Sequence, residues 1–584
     1  MSHRYRHYLV VPVLLLLIGT AAPARACEQP ADALLSQTRL VTVWGCPMCE
    51  SVRQYEFGRC PKCGMSLVPL ERKRLYGAAA LMPGAPQWLF YAAAISVLLL
   101  SFVLFHYWGR RQSAQPQRGF RWNLLRIPGI KWLVKRRWFQ FSLQFPVFIL
   151  FMIVIVAGLM GNPDPTRNIA PALTWAFWWT WLIVAVLFMG KIWCTACPWM
   201  GVSDWLAKSS FWRRVRKPFS ADNRWPKRLR NIWIATISFV ALTWLELGFG
   251  ITQKPWLTAT LALVMVMASV LTLLVYERKA FCRYACLVGR VQGLYAMLAG
   301  TELRRDDANV CRACVTKDCY HGNENAYPCP THQFIGAMDV NTYCTLCTEC
   351  IKACPEDNIV WNTRPVGADL LETSKVRSDE AFLAIALLSM SAFHGLTMTP
   401  LWVTILRWFE GTFGAPHLLA FSVAMTGILA LPLGVYYGIC WLMKWSAGDH
   451  KNSAGRLFVR FAYSLLPIAL FYHLAHNAQH ILFEGKKLVR LASDPFGLDW
   501  NLFGTASMPV DMVLPLGVGW GMQVALILFG HIYGIRVAHK ISRSLYDQPR
   551  QAVMSQIPIL AGMLLFSFQS LWLIAQPMIM RTAM

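Results

Sequence analysis

The sequence predicts a mainly α, polytopic helical membrane protein of about ten spans, with a cytoplasmic two-cluster ferredoxin-like insert and a small exported cysteine-rich metal domain. Three observations predict it. Hydrophobic residues fill 56% of the 584 positions and charged residues only 15%, against roughly 25% charged in a soluble chain. The apolar residues gather in runs close to the roughly 20 residues that a bilayer requires, and the mean hydropathy is +0.39. The 18 cysteines fall mostly in close pairs and one tight quartet, a pattern of metal or cluster ligands rather than of a disulfide framework.

Taken from the N-terminus, Arg4 and Arg6 precede an apolar run, Leu9 to Ile18, and Ala24-Arg25-Ala26 fits a small-x-small cleavage site. Residues 1–26 therefore read as a signal peptide; an uncleaved anchor helix and lipidation at Cys27 are the alternatives, and Arg25 stands where lipidation needs a small residue. Residues 27–85 form a small exported domain, and 86–138 hold the first span and a basic linker. Residues 139–290 are a four-span core, 291–379 a polar cytoplasmic domain, and 380–584 a five-span histidine-bearing domain. The spans are expected near 87–107, 139–160, 171–189, 231–249, 256–276, 380–402, 416–443, 458–483, 509–535 and 553–579.

Orientation follows from loop charge. Residues 109–138 carry nine Lys/Arg and no acid, and residues 190–230 carry ten Lys/Arg against Asp204 and Asp222, so both loops are expected in the cytoplasm. Loops 161–170, 250–255 and 403–415 are poor in basic residues and face outside; 484–508 is assigned outside although it holds Lys486, Lys487 and Arg490. The net charge of +26 thus follows the positive-inside rule, not the basic face of a nucleic-acid binder. The expected location is a bacterial inner membrane, with lipid as a partner and no nucleic acid. Residues 120–138 mix basic and aromatic residues and read as an interfacial helix or a solvated linker.

Cys344-Thr-Leu-Cys347-Thr-Glu-Cys350-Ile-Lys-Ala-Cys354-Pro355 is C-x2-C-x2-C-x3-C-P. Three cysteines on a tight loop wrap three corners of a cubane, and the fourth reaches the other cluster of a two-cluster fold; a zinc site is the alternative. Upstream lie Cys311-Arg-Ala-Cys314, Cys319 and Cys329-Pro330. The crossed arrangement predicts one [4Fe–4S] cluster on Cys311, Cys314, Cys319 and Cys354, and another on Cys344, Cys347, Cys350 and Cys329.

Two further pairs form an internal repeat: Lys191-Ile-Trp-Cys194-Thr-Ala-Cys197-Pro198 with Gly201 after it, and Lys279-Ala-Phe-Cys282-Arg-Tyr-Ala-Cys286 with Gly289 after it. Each follows a span running inwards. Four thiolates gathered there would bind a third iron–sulfur centre; two structural thiol pairs are the alternative. Spans ending in such pairs, ahead of a two-cluster segment, resemble the membrane polyferredoxin family. It includes NapH-type quinol dehydrogenase and NosR-type subunits and the accessory protein of cbb3-type oxidase assembly. The resemblance covers about residues 139–360. Its membrane pattern is C-x3-C-P; here Cys194 and Cys197 stand one residue closer, and Leu287 replaces the proline after Cys286. The resemblance implies electron transfer between quinone pool or cytoplasm and a periplasmic acceptor.

Cys46-Pro47-Met48-Cys49 and Cys60-Pro61-Lys62-Cys63-Gly64-Met65, followed by Leu67-Val68-Pro69, close a thiolate site for zinc or, with the soft sulfur of Met48 and Met65, for Cu(I). Two disulfides are the alternative in an oxidising compartment. The segment resembles the heavy-metal-binding domain of copper efflux adaptors and copper-pumping ATPases, which usually has His where Cys49 stands. Within the later spans, His473, His476 and His480 share one helical face, with His394 at similar depth and His417 starting the next span. Facing imidazoles across helices hold a haem b, three hold copper or zinc, and interhelical hydrogen bonding is the structural reading. His531 lies nearer the inside, and Cys440 reads as packing.

Together these features point to a membrane-bound iron–sulfur electron carrier, with electrons crossing towards an exported acceptor in copper handling, Cu(II) reduced to Cu(I). The alternatives are a quinol dehydrogenase feeding a periplasmic reductase and a metal transporter or assembly factor with regulatory clusters. The sequence has no Walker-type loop and no Gly-rich dinucleotide fingerprint, so electrons are expected from a donor protein or quinol, with a metal or redox partner in the periplasm.

Overall fold

The computed structural model describes residues 40–45, 53–54, 68–74, 81–110, 119–208, 219–372, 375–510 and 512–579. It divides into two units, one of residues 1–84, 398–400 and 575–584, the other of 85–397 and 401–574. The expected signal peptide, Cys27, and the metal-ligand candidates Cys46, Met48, Cys49, Cys60, Cys63 and Met65 lie outside the described residues.

In the smaller unit β1 (Leu40–Gly45), β2 (Arg53–Gln54) and β3 (Val68–Arg74) form an antiparallel sheet in the order β2-β1-β3. Gly45 pairs with both Arg53 and Val68. The chain thus leaves β1 directly before Cys46 at the end of the sheet where it enters β3. A short strand β4 (Leu81–Met82) pairs with Met578–Ile579.

The larger unit is helical. Its helices are α1 (Gln87–Arg110), α2 (Pro128–Lys135), α3 (Phe139–Met160), α4 (Trp179–Met189), α5 (Pro198–Lys208), α6 (Trp233–Leu247) and α7 (Pro255–Val275). After these come α8 (Leu287–Tyr295), α9 (Ser378–Thr397), α10 (Pro400–Phe413), α11 (His417–Ser446), α12 (Ala454–Ser493), α13 (Leu516–Leu545) and α14 (Pro549–Ala575). Among the described residues nine helices are long and apolar enough to cross a membrane, α4 being continuous with a span from Ile169. The sequence led us to expect about ten. The missing one is α6, 15 residues long and so about 22 Å at 1.5 Å per residue, short of a hydrocarbon core of about 30 Å. It stops at Gly248, and Gly250 turns the chain at φ +69°. Two expected loops are partly helical: α10 covers 403–413, and α12 runs on through 484–493.

Helix α12 is the most buried of the apolar helices and packs against α4, α9, α11 and α13. Gly530-x-x-x-Gly534 on α13 permits this contact. A Cβ on Gly530 would meet Phe471 Cβ at 2.7 Å, and one on Gly534 the Ser464 carbonyl at 2.9 Å, the close backbone approach that small residues allow between membrane helices.

Residues 296–372 form a domain on this bundle. Strands β6 (Thr301–Arg305) and β7 (Ile359–Thr363) pair antiparallel, and β5 (Trp122–Asn123) adds to the other edge of β7. The segment 120–138 is therefore not a linker: it supplies a strand and the amphipathic helix α2, whose Trp132 stays exposed while Val134 is buried. Leu125, Val134 and Phe139 enter one apolar core with Leu303, Ile351 and Ile359, while Lys131 and Lys135 both pair with Asp357. Buried Arg364 ties the domain together. It pairs with Glu302 (3.1 Å) and Asp369 and donates to the carbonyls of Ala296 and Ala299. Burial would raise the Glu302 carboxyl, but Arg304, Arg364 and Arg121 hold it below the usual range.

Removing one member of such a network leaves an uncompensated buried charge, worth about 3–5 kcal/mol. Arg364→Met is expected to lower the thermal unfolding midpoint of this domain and its retained iron, whereas Lys375→Met, at an exposed ion pair with Asp339, leaves both unchanged; differential scanning calorimetry with iron assay checks this.

Candidate metal centres

Cys311, Cys314, Cys319 and Cys354 line one cavity, closed by Val310, Phe334, Pro355 and Ile359. Asp307 caps the short helix 308–313 that bears Cys311, and the helix 349–353 ends at Cys354. Asn358 serves this site twice. Its side chain donates to Cys311 Sγ at 3.3 Å and its backbone N–H to Cys354 Sγ at 3.4 Å. Burial pushes the Cys319 thiol up to about 11, with Cys354, Cys311 and Cys314 adding to it.

The quartet loop brings Cys344, Cys347 and Cys350 round to Cys329. Leu346 (φ +55°) and Thr348 (φ +64°) adopt left-handed backbone, an uncommon conformation for residues with a Cβ. It curls the loop between the cysteines, and Cys344, Cys347 and Cys350 all have Cys329 as a neighbour. Burial pushes Cys344 up to about 11 and Cys347 up to about 12, each with Cys329 among its charged neighbours. Cys350 is driven well above its ordinary value by burial and by Cys347, Cys344, Cys329 and Cys319. The four thiols of each crossed set are thus neighbours, and Cys350 adjoins both sets. Thiols this costly to ionise become ligands when iron displaces their protons.

The membrane pairs also converge. Cys194, Cys197, Cys282 and Cys286 are all buried, at 9, 6, 6 and 7% exposure, and Cys197 feels the other three. In each repeat the second cysteine directly precedes a helix, α5 after Cys197 and α8 after Cys286. The Gly289 N–H donates to Cys286 Sγ at 3.4 Å, and helix N-termini favour thiolates. Leu287 takes the first helical position that Pro198 fills in the other repeat, where no N–H is needed. The extra residue between Cys282 and Cys286 is absorbed by a wide turn over Phe281–Ala285, closed by Cys286 N–H to the Phe281 carbonyl at 2.8 Å.

Positive charge surrounds these sulfurs. Lys191 Nζ, 1% exposed as a residue, lies 3.3 Å from the Thr342 carbonyl. Burial and Arg290 push it down to about 8, while Cys194, Cys282 and Cys286 act the other way. Arg290, also 1% exposed, stacks on Tyr343 at 4.5 Å, and its Nε, Nη1 and Nη2 lack a hydrogen-bond partner among the described residues. A buried guanidinium beside Cys286 with no acceptor fits an anionic thiolate-ligated cluster at this site. No three His, Cys, Asp or Glu side chains among the described residues gather tightly enough for one metal ion; ligands at the corners of a cubane stand farther apart than ligands of a single ion.

The histidines divide. His473 turns towards α4 and α8. Trp179 Nε1–H donates to its Nε2 at 3.3 Å, placing the ring proton on Nδ1, which is 3.2 Å from the Tyr295 hydroxyl. His394, His476 and His480 adjoin one another, with ring centroids 6.5 and 5.7 Å apart, and Glu246 lies 3.5 Å from His394. His417 is exposed and pairs with Glu410. Both ring nitrogens of His531 are bonded, to Ser101 and Ser567. Cys440 is buried in the main apolar core. Sequence reading missed Lys191, Lys279, Arg290 and Asn358 as neighbours of the sulfurs; the lysines, each three positions ahead of a cysteine in both repeats, carried a signal.

A model of a 4Fe-4S binding domain matches the chain twice, over residues 171–220 and 258–305. The two matches hold Cys194, Cys197, Cys282 and Cys286. A model of a heavy metal binding domain matches residues 43–70, spanning the cysteine pairs between β1 and β3. No curated protein and no solved structure matches the chain. The chain thus carries a 4Fe-4S binding domain in two repeats and a heavy metal binding domain.

With three four-iron centres bound, iron and acid-labile sulfide are expected at about twelve each per chain, and Cys286→Ser is expected to lower both to about eight. Asn358→Leu removes a hydrogen bond to sulfur and is expected to lower the reduction potential of the Cys311 centre; redox titration followed by electron paramagnetic resonance reads it, and an unchanged potential counts against that centre.

Proposed function

We propose that the protein is an iron–sulfur electron carrier of a bacterial inner membrane, passing electrons outward to a metal acceptor and reducing Cu(II) to Cu(I). The observation that carries the reading is the succession of three thiol tetrads. Cys350 links the first two. Lys279, paired with Asp204 at 2.7 Å, stands among the charged neighbours of both Cys282 and Cys347. Clusters bound at these tetrads would supply one-electron sites in series.

The chain's own residues hold this series in place. Thr195 donates to the Thr345 carbonyl at 2.6 Å and Gln140 to the Cys347 carbonyl at 2.6 Å. On the far side of the membrane pairs, the rings of Trp193, Trp178, Trp179 and His473 follow one another at 5.3, 6.2 and 6.1 Å. They lead from the tetrad into the bundle, towards the His394, His476 and His480 group. Loop charge favours a cytoplasmic cluster domain and an exported heavy-metal domain, and the resemblance to polyferredoxins favours transfer between the two compartments. Each Cu(II) takes one electron from one reduced cluster and becomes Cu(I), which soft thiolate and thioether ligands favour.

Anaerobic protein with reduced clusters is expected to reoxidise on adding Cu(II), and the quadruple Ser variant at Cys46, Cys49, Cys60 and Cys63 to do so at least about tenfold more slowly. Equal stopped-flow rates would remove copper from the proposal. Reoxidation by a quinone and not by Cu(II) would assign the chain to quinol oxidation instead.

A further inference from the structure

A second cavity, of about 410 Å³, opens beside Cys329, whose carbonyl accepts from Arg278 on the cavity wall, and has the opposite character. Arg224, Arg230, Arg278, Arg283 and Arg377 line it, with His332, against a single carboxylate, Glu277. It lies where three apolar helices end: Ile232 precedes α6, Glu277 follows α7, and Arg377 precedes α9. Arg377 is neutralised by Asp379 at 2.8 Å. Among the described residues no carboxylate pairs with Arg224, Arg230, Arg278 or Arg283.

These arginines are held in place without being satisfied. Arg278 donates to the Cys329 carbonyl at 3.2 Å, and Arg283 to the His332 carbonyl at 3.0 Å. The Nε of Arg283 is buried with no hydrogen-bond partner. Four guanidinium groups around one cleft outnumber its single carboxylate, Glu277, and repel one another, and an anion bound among them relieves that cost. Guanidinium forks match phosphate oxygens in charge and geometry. The volume exceeds that of a bare inorganic anion and lies in the range of small-molecule sites, about 300–1,000 Å³. Tyr284, stacked on Trp225 at 5.6 Å, and Tyr320 and Tyr343 add aromatic walls.

We propose that this cavity binds a phosphate-bearing anion: a soluble phosphate ester of nucleotide size, or the phosphodiester headgroup of an anionic lipid. The site rests on the arginine cleft and stands whether or not the copper reading does. The cleft is a concave space of about 410 Å³ walled by Tyr284, Tyr320 and Tyr343, which suits a small anion better than an acidic loop of a partner protein.

The test uses full-length, cluster-loaded protein in phosphatidylcholine nanodiscs, with radiolabelled inorganic pyrophosphate as the probe in equilibrium dialysis against physiological chloride. One saturable site per chain is expected. Arg283→Gln, and separately the rim double variant Arg224→Gln/Arg230→Gln, are expected to weaken binding at least about tenfold, with iron and sulfide contents unchanged. Should Arg283→Gln lose iron, the rim variant alone decides. Competition by phosphatidylglycerol built into the nanodiscs assigns the site to a lipid headgroup; absence of competition assigns it to a soluble ester. No saturable binding, or equal binding by the wild type and the rim variant, overturns the proposal.

Discussion

Four thiols gathered in a buried layer at the end of the apolar helices are the constraint on which the rest of the structure depends. Ionised thiols carried out of water cost several kcal/mol each unless opposite charge comes with them. The chain brings that charge in the repeat itself. Lys191 and Lys279 stand at the same offset ahead of each pair, and Arg290 stands one helical turn after Cys286. Two of these cations are themselves almost wholly buried, so neither partner is tolerable alone. Asp204 then anchors Lys279 (2.7 Å) and Lys208 (3.4 Å), extending one charge-balanced layer across the end of the bundle.

The same layer positions the domain of residues 296–372. Helix α8 comes so close to the Thr342 carbonyl that a Cβ on Gly293 would stand 2.5 Å from it. Lys191 and Thr195 hold the carbonyls of Thr342 and Thr345 from below, directly beside Cys344. Asn341 is gripped by Asp369 and the Thr301 carbonyl, within the network centred on Arg364. The spacing between the membrane sulfurs and the quartet loop is therefore set by backbone contact and buried hydrogen bonds rather than by a flexible tether.

Much of this was legible in residue order. The C-x2-C-x2-C-x3-C-P run, the repeated lysine–cysteine pairs and the apolar runs each have a local cause, and local causes survive translation into sequence patterns. What stayed hidden was non-local. Residues 120–138 look basic and amphipathic, yet their fate was decided by Leu125 and Val134 finding a core built from residues far downstream. The three histidines of α12 share one face by arithmetic, but Trp179 and Tyr295 draw His473 away from His476 and His480. Helix α6 ends at Gly248, two residues before Gly250 turns the chain at a positive φ. The one-residue difference between the cysteine pairs was visible; that a wide turn absorbs it was not.

Strand β5 has a consequence for how the protein is made. Trp122 pairs with Thr363, so the third strand of the cluster domain leaves the ribosome long before the two it joins. Between them the chain must place the apolar helices α3, α4 and α7 while β5 and α2 wait unpaired. Such long-range pairing is slow and leaves an open strand edge exposed in the interval. Lys131, Lys135, Arg136 and Arg137 flank the waiting segment, and like charges of this kind keep an unpaired edge soluble. Closure of the sheet thus becomes a late checkpoint in biogenesis, reached only when membrane insertion has delivered both halves of the domain to the same face.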